Sequence, residues 1–169
     1  LAMVSYPGYD NNKMANTVDA EYYAQLNADK SSPQLNFATQ YKAAPGSTFK
    51  IVSATAGLLE NVINLQSRVN CVGTFTEITP SPRCWKISGH GYENVTSAIK
   101  DSCNYFFYNV GYQLATRTGS YNEEAGLDTL SKYADLYGLT DKSGVEIGEY
   151  APDVSTKDPV RSAIGQGSN

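Results

Sequence analysis

The sequence has little charge and no excess of basic residues. Its 13 Lys and Arg residues stand against 17 Asp and Glu residues, so the formal net charge is −4, and charged residues make up only 18% of the chain. The basic residues are scattered and form no stripe that could neutralise the phosphates of a nucleic acid. Nucleic acid is therefore not an expected partner. A weakly charged surface with 13 tyrosines favours sugars or peptides instead.

Long hydrophobic runs are also missing. No uninterrupted apolar stretch approaches the roughly 18 to 20 residues that a membrane span needs, and the N-terminus lacks the layout of a signal peptide. We expect any export signal or anchor to lie outside this chain. With 169 residues, of which 41% are hydrophobic, the chain can build a core, and we find no repeat or interior linker that would divide it.

Cysteine and histidine are few, with three Cys and one His in the chain. Cys71, Cys84 and Cys103 form no Cys-x-x-Cys pair and have no zinc-type spacing to His90. On this ground we predict that the chain has no structural zinc site and no metal site. Two alternatives stay open for Cys71 and Cys84: a disulfide closing a short loop in an oxidising compartment, or two buried free thiols.

Hydrophobic periodicity and turn residues predict a mainly helical chain with a few short strands. Asn94 is a candidate N-cap, and the helix that starts near Ser47 has apolar or small residues on nearly every side. The predicted elements are a strand at 1–6, helices at 18–28, 35–43, 47–62, 94–101, 105–115 and 122–137, and a hairpin or irregular loop at 69–88.

Lys50 lies inside the apolar helix, where a buried ammonium group loses its hydration unless it is paired or neutral. Ser47 is three residues earlier, on the same face and in the first turn. A neutral lysine beside a serine hydroxyl can take its proton and activate the oxygen to attack a carbonyl. Backbone N–H groups at the helix start can contribute to an oxyanion hole. The alternative is an N-cap serine followed by a lysine whose amine reaches solvent.

A second candidate group, Ser102 and Asn104, flanks Cys103 at the junction of two predicted helices. Such a junction can point polar side chains into a cleft, and helix capping is the alternative. Ser97 and Lys100 repeat the Ser-x-x-Lys spacing in a more polar helix, where an ordinary solvated lysine is expected. His90 has no evident acid partner, so we interpret it as a loop histidine and expect no Ser-His-Asp triad.

Four stretches connect these groups through a resemblance. PGSTFK, GHGYENVTSAIKDSCNYFFYNVG, YGLTDKSGVEIGE and SAIGQGSN occur in this order and together resemble the transpeptidase domain of class B penicillin-binding proteins. The opening LAMVSYPGYDNN resembles the segment that precedes the active-site helix in that family. The likeness therefore extends along the whole chain and includes the Ser-x-x-Lys motif of the group.

The resemblance implies an α+β fold of the penicillin-binding-protein and serine β-lactamase type, and a reaction that uses no cofactor. Ser47 would be the acylated nucleophile, Lys50 the base, Ser102 a proton relay and Asn104 a ligand of the substrate backbone. The substrates would be the D-Ala-D-Ala stem peptides of peptidoglycan, which are cross-linked through an acyl-enzyme, and β-lactams would acylate the same serine. The implied setting is a cell-wall synthesis complex at the extracytoplasmic face of the bacterial membrane.

Two departures from the family pattern affect what we expect of this chain. Cys103 stands where the second motif has Asp. It lies between Ser102 and Asn104, the two residues of this motif to which the resemblance assigns roles. The third motif, Lys-Thr-Gly, has no counterpart, because Lys142 and Ser143 precede the Gly-Gln-Gly segment rather than follow it. We therefore interpret residues 1–169 as a partial, truncated domain, predominantly the helical lobe, that acylates poorly alone.

Such a piece leaves uncovered the surface on which the missing sheet would pack, and we expect self-association through that face. The alternatives to a transpeptidase are a serine β-lactamase and a non-catalytic module that senses β-lactams or binds cell-wall peptides.

Overall fold

The computed structural model describes residues 2–167 of the chain. It contains two compact units, one formed by Leu1–Ala43 with Lys142–Ala151 and the other by Ala44–Asp141 with Pro152–Asn169. The sequence shows no interior linker that would mark this division, and the prediction of a single partial domain stays a prediction. Residues late in the chain belong with its start: the backbone N–H of Tyr150 donates to the carbonyl of Thr39 at 2.9 Å. No local composition shift marks such a non-local pairing.

The first unit has little regular structure. Helix α1 spans Ala20–Ala28, begins at the side-chain cap of Asp19 and follows a 3-10 turn at Asn11–Lys13, and α2 spans only Phe37–Gln40. The predicted helix at 35–43 is thus mostly loop. The predicted strand at 1–6 is wrong for residues 2–6, which are irregular, while Leu1 lies outside the described residues.

The second unit is built around helix α5. A 3-10 turn at Gly46–Phe49 leads into α3, and α5 carries the fully buried side chains Phe106, Phe107, Val110 and Leu114. Helices α3, α6 and α7 pack against it. The ranges are α3 Lys50–Leu59, α4 Val95–Lys100, α5 Asn104–Thr116, α6 Glu123–Leu136 and α7 Pro159–Ser162. The predicted helices of this unit are confirmed, and α7 is an addition.

Two short strands form the sheet of the described chain. Strand β1, Val69–Cys71, pairs antiparallel with β2, Gly91–Glu93, in the register Val69↔Glu93 and Cys71↔Gly91. Residues 72–90 form the long connection between the strands, which we call the excursion. Within it, Thr74 and Arg83 form an isolated antiparallel β-bridge. The register places Cys71 and His90 side by side, although they are far apart in sequence. A mainly helical α+β fold with few short strands is confirmed.

Candidate active site

Ser47 lies in the 3-10 turn before α3 and is exposed to solvent. A residue far along the chain holds this turn, because the backbone N–H of Gly46 donates to the carbonyl of Gly165 at 3.0 Å. Gly165 has φ +68°, and a Cβ there would come within 2.2 Å of the Gly46 carbonyl oxygen. Only glycine fits such an approach. The Gly-Gln-Gly segment thus supports the turn that presents the Ser47 hydroxyl.

Lys50, the first residue of α3, is 2% exposed. Its Nζ donates to three oxygens from the α4–α5 junction: the Ser102 carbonyl at 2.8 Å, Ser102 Oγ at 3.0 Å and Asn104 Oδ1 at 2.6 Å. Three acceptors match the three donors of an ammonium group. Nζ also lies over the Phe107 ring, 5.7 Å from the ring centroid. The alternative of a lysine reaching solvent is excluded by this burial.

The environment of Lys50 makes its amine a usable base. Desolvation by burial lowers the pKa of Lys50 to about 8, and the nearby sulfurs of Cys103 and Cys84 oppose the shift. A lysine with a pKa near 8 has a substantial neutral fraction close to physiological pH, whereas an ordinary lysine is almost wholly protonated. The buried position therefore gives Lys50 a neutral fraction that can accept a proton.

Ser102 connects Lys50 to Ser47, since its Oγ also donates to Ser47 Oγ at 3.0 Å. Helix α4 ends in a Schellman motif here: the N–H of Ser102 donates to the carbonyl of Ile99 and that of Cys103 to Ala98. Ser102 occupies the left-handed position, with φ +51°, where glycine is usual. A serine in this strained position, with its hydroxyl bonded to both Lys50 and Ser47, is a candidate functional residue.

The four predicted site residues therefore meet in one chain of hydrogen bonds. It runs from Ser47 Oγ to Ser102 Oγ, then to Lys50 Nζ and on to Asn104 Oδ1. Hydroxyl groups can reverse donor and acceptor, so a proton can pass from Ser47 through Ser102 to a neutral Lys50. The arrangement is suited to nucleophilic attack by Ser47.

The competing Ser-x-x-Lys pair has a structural role. Ser97 forms a capping box with Asn94 and donates to the buried carboxylate of Glu93. The side chain of Lys100 is 75% exposed and pairs with Asp101. The structure thus gives Ser97 a capping function and leaves Lys100 solvated, as expected from the polarity of that helix.

Lys142 is not in a strand of the kind that carries a Lys-Thr-Gly motif. Residues 142–145 are irregular, and the Glu149 carboxylate accepts from the N–H groups of Ser143 and Gly144 and from the Ser143 hydroxyl at 2.8 to 3.1 Å. The interpretation of Lys142 as non-catalytic agrees with this loop.

The three cysteines lie close to one another and to His90. All three are free, buried thiols, which is the second alternative for Cys71 and Cys84. Their sulfurs and a ring nitrogen of His90 lie within 4.8 Å of one another. The prediction of no metal site rested on sequence spacing, and the pairing of β1 with β2 removes that ground. We name Cys71, Cys84, His90 and Cys103 the thiol–histidine cluster.

Sequence reasoning also missed Trp85, an exposed side chain beside the site. Its Nε1 donates to the carbonyls of Asp101 and Ser102 at 3.2 and 3.1 Å. The excursion between the strands is thereby attached to the residue that connects Lys50 and Ser47. No local pattern signals this contact, because the partners are backbone atoms.

Comparison with known proteins agrees with the geometry. The penicillin binding protein transpeptidase domain matches residues 1–168. The chain is 34% identical over 151 residues to peptidoglycan D,D-transpeptidase MrdA of Haemophilus influenzae and 29% identical over 148 residues to stage V sporulation protein D of Bacillus subtilis. The match to the Haemophilus protein covers 88% of this chain and 22% of that protein. The match to the Bacillus protein covers 87% of this chain and 20% of that protein.

Solved structures of similar fold include PBP2 of Pseudomonas aeruginosa in complex with WCK 5153, with a TM-score of 0.84, 26% identity and coverage of 99% of this chain and 39% of that one. PBP2 of Helicobacter pylori in complex with MreC has a TM-score of 0.83 and 25% identity, and the match covers 98% of this chain and 32% of that one. No helix among residues 2–167 is long and apolar enough to cross a membrane. The match along nearly the whole chain, together with the linked Ser47, Lys50, Ser102 and Asn104, shows that the chain belongs to the penicillin-binding protein transpeptidase family.

Proposed function

We propose that this chain is part of a peptidoglycan D,D-transpeptidase, in which Ser47 forms the acyl-enzyme. The observation that carries the proposal is the buried Lys50, whose Nζ contacts Ser102 Oγ at 3.0 Å, while Ser102 Oγ contacts Ser47 Oγ at the same distance. A nucleophile, a relay and a base in hydrogen-bond reach are the elements that acyl transfer requires. The Haemophilus relative carries the same activity in its name.

Acylation begins from neutral Lys50. Ser47 Oγ attacks the carbonyl between the two D-Ala residues of a stem peptide, its proton passes to Ser102, and the Ser102 proton passes to Lys50 Nζ. When the tetrahedral intermediate collapses, the carbon–nitrogen bond breaks. The proton returns from Lys50 through Ser102 to the amine of the departing D-Ala.

Deacylation runs the same proton path in reverse order. The amine of a neighbouring stem peptide attacks the Ser47 ester and loses a proton along the path, and the oxygen of Ser47 leaves and regains one. Asn104 can accept from Lys50 and still donate from its amide to a substrate carbonyl. A β-lactam presents a strained amide to the same oxygen.

The relatives support a proposal about the wider setting. The Pseudomonas relative is solved with WCK 5153 and the Helicobacter relative with MreC, and another relative belongs to a peptidoglycan synthase complex that coordinates polymerization and crosslinking. We propose that the parent of this chain works in such a complex, at the extracytoplasmic face of the membrane, and binds β-lactams.

The test uses a chimera, in which this chain replaces the matching segment of the Haemophilus relative and the remainder supplies the third motif. We expect release of D-Ala from a stem pentapeptide and formation of a cross-linked product with an acceptor amine. Ser47→Ala should abolish both, whereas Ser97→Ala, at the second Ser-x-x-Lys, should retain them. Rapid turnover of a chromogenic cephalosporin without cross-linking would instead identify a β-lactamase, and a folded chimera with neither activity would contradict the proposal.

A further inference from the structure

The side chain of Trp85 caps the end of helix α4. Trp85 is 63% exposed, yet its Nε1–H donates to two successive backbone carbonyls, that of Asp101 at 3.2 Å and that of Ser102 at 3.1 Å. The carbonyls of Ala98 and Ile99, earlier in the same helix, accept from N–H groups of the turn itself. Carbonyls at a helix end lack partners within the helix, and here the indole supplies one for the last two.

Two bonds to successive carbonyls fix a backbone conformation. The carbonyl of Asp101 belongs to the rigid peptide plane before the Cα atom of Ser102, and the carbonyl of Ser102 belongs to the plane after it. The rotations between these two planes are the φ and ψ angles of Ser102. One donor that reaches both oxygens keeps them on the same side of the chain and thereby holds Ser102 at φ +51°. A residue with a Cβ adopts this left-handed conformation only when its surroundings hold it.

The backbone conformation of Ser102 determines where its hydroxyl lies. Ser102 Oγ is 3.0 Å from Lys50 Nζ and 3.0 Å from Ser47 Oγ. The Ser102 carbonyl accepts from Lys50 Nζ as well, at 2.8 Å, so Lys50 and Trp85 together use both of its lone pairs. A rotation of either peptide plane would move these oxygens away from Lys50 and turn the hydroxyl away from Ser47.

The indole can hold this turn because its own support is firm. The two residues before Trp85 are anchored, since the carbonyl of Arg83 accepts from the hydroxyl of Tyr108 on α5 at 3.2 Å and Cys84 is only 2% exposed. The Trp85 ring also stands edge-on to the ring of His90, with centroids 5.1 Å apart. The Nε1–H group therefore reaches the α4–α5 junction from a fixed direction.

We propose that Trp85 is a positioning residue for acylation of Ser47. Its N–H group keeps Ser102 in the left-handed conformation and so keeps the Ser102 hydroxyl between Lys50 and the nucleophile. The role in acylation rests on the proposed function, whereas the hold of the indole on the turn does not. Because Trp85 acts on the proton path and not on the substrate, its loss should slow the chemical step and leave substrate binding unchanged.

The first experiment removes the N–H group and keeps an aromatic ring, with Trp85→Phe in the chimera. Reaction with penicillin at several concentrations gives separately the dissociation constant of the initial complex and the first-order rate constant of acylation. We expect the rate constant to fall at least about tenfold and the dissociation constant to change less than about twofold. Tyr92→Phe is the matched control, since it removes an exposed aromatic hydroxyl from β2 of the same hairpin and should leave both constants unchanged.

The two constants separate the possible outcomes. A Trp85→Phe chimera that is acylated at the wild-type rate overturns the proposal. A loss confined to the dissociation constant overturns it too, because the exposed indole would then act by contact with the substrate. A wild-type chimera that is not acylated at all contradicts the proposed function and, with it, the role in acylation, while the hold on the turn is decided by amide hydrogen exchange.

Amide hydrogen exchange of the chain by itself tests that hold with no activity assay. The N–H groups of Ser102 and Cys103 close the end of α4. In Trp85→Phe they should exchange at least about tenfold faster, while those of α6 stay unchanged. Equal exchange at Ser102 and Cys103, or faster exchange throughout the chain, would overturn the proposal.

A measurement on the wild-type chain covers the case in which Trp85→Phe fails to fold. Trp85 is the only tryptophan of the chain, so its indole N–H gives a single NMR signal in ¹⁵N-labelled protein. Because this N–H is hydrogen-bonded, it should exchange at least about tenfold more slowly than that of N-acetyltryptophanamide, although the side chain is exposed. An indole N–H that exchanges as fast as that of the free compound would overturn the proposal.

Discussion

At the scale of single residues, the balance of burial and hydrogen bonding at Lys50 decides the chemistry. An ammonium group taken out of water is costly unless it is paired or neutral. Lys50 has three oxygen acceptors, none of them a carboxylate. Hydrogen bonds to neutral oxygens compensate only part of the lost hydration, so the pKa falls, to about 8. A carboxylate partner would have kept the lysine charged and useless as a base.

This balance predicts a distinct titration. Among the nine lysines of the chain, Lys50 should be the one whose Nζ and Cε resonances titrate near pH 8 in side-chain NMR, and the signal should disappear in Lys50→Met. Because the folded pKa lies below the ordinary 10.5, the unfolded state binds more protons between these values. The contribution of Lys50 to stability therefore rises with pH from about 8 to 10. A Lys50 signal that titrates above pH 10 would contradict the account.

Ser102 predicts a conflict between stability and activity. Its left-handed φ costs roughly 1 kcal/mol for a residue with a Cβ, and glycine avoids this cost. Ser102→Gly should therefore have a free energy of unfolding about 0.5 to 1 kcal/mol higher than that of Ser102→Ala in urea titrations of the chain, while both changes lower acylation of the chimera at least a hundredfold. Ser102→Ala is the control, since it removes the hydroxyl and keeps the strain. A Ser102→Gly chain that is less stable than Ser102→Ala would refute the strain argument.

The residues of the site differ in how far sequence could predict them. Lys50 was conspicuous as a lysine in an otherwise apolar helix, but the residues alone left open an N-cap serine followed by a solvated lysine, and the resemblance favoured the nucleophile and base. Ser102 and Asn104 were capping candidates until the resemblance connected them to Ser47. The thiol–histidine cluster was missed, because its four members come together only through the β1–β2 register and the position of the α5 N-cap, neither of which has a local signature.

At the scale of elements, caps and buried faces explain what was predictable. Asn94 and Asn122 accept from backbone N–H groups at the starts of α4 and α6, and the apolar residues of α5 give a clear helical period. Helix α7 escaped prediction because it has four residues and starts from Asp158 with φ +56°. The predicted strand at the N-terminus failed because a short β-prone run without a pairing partner has no reason to be a strand.

The end of α3 is connected to two other helices through one carboxylate. Glu60 accepts from Lys132 at 2.8 Å and from the Tyr133 hydroxyl at 2.9 Å, both on α6, and forms an ion pair with Arg117 after α5. Its side chain is 12% exposed. Hydrogen bonds, first from Lys132 and then from Tyr133, lower the pKa of Glu60.

This arrangement predicts an acid-sensitive helix junction. A depressed folded pKa stabilises the fold above the ordinary carboxyl pKa of about 4.5, and the contribution disappears as pH falls through the lower folded value. Glu60→Gln should lower the free energy of unfolding at pH 7 by about 1 to 2 kcal/mol, with a smaller difference at pH 3. Glu124→Gln, an exposed change on α6, is the control. An equal effect of Glu60→Gln at both pH values would contradict the account.

At the scale of the whole molecule, the chain spans about a fifth of the length of the curated relatives it matches. Composition indicated a globular chain with a core, and the second unit has one. Division into two units was not predictable, because the segment Lys142–Ala151 belongs with residues from the start of the chain. The partial nature of the domain, poor acylation of the isolated chain and its self-association stay predictions.

The central claim is that Ser47 is the nucleophile, activated through Ser102 and Lys50. Peptide mass mapping of the chimera after incubation with penicillin tests it most directly. We predict a single penicilloyl adduct on the peptide containing Ser47, unchanged in Ser97→Ala, absent in Ser47→Ala, and formed at least a hundredfold more slowly in Lys50→Met. An adduct on another serine, or labelling that persists at full rate in Ser47→Ala, would contradict the account.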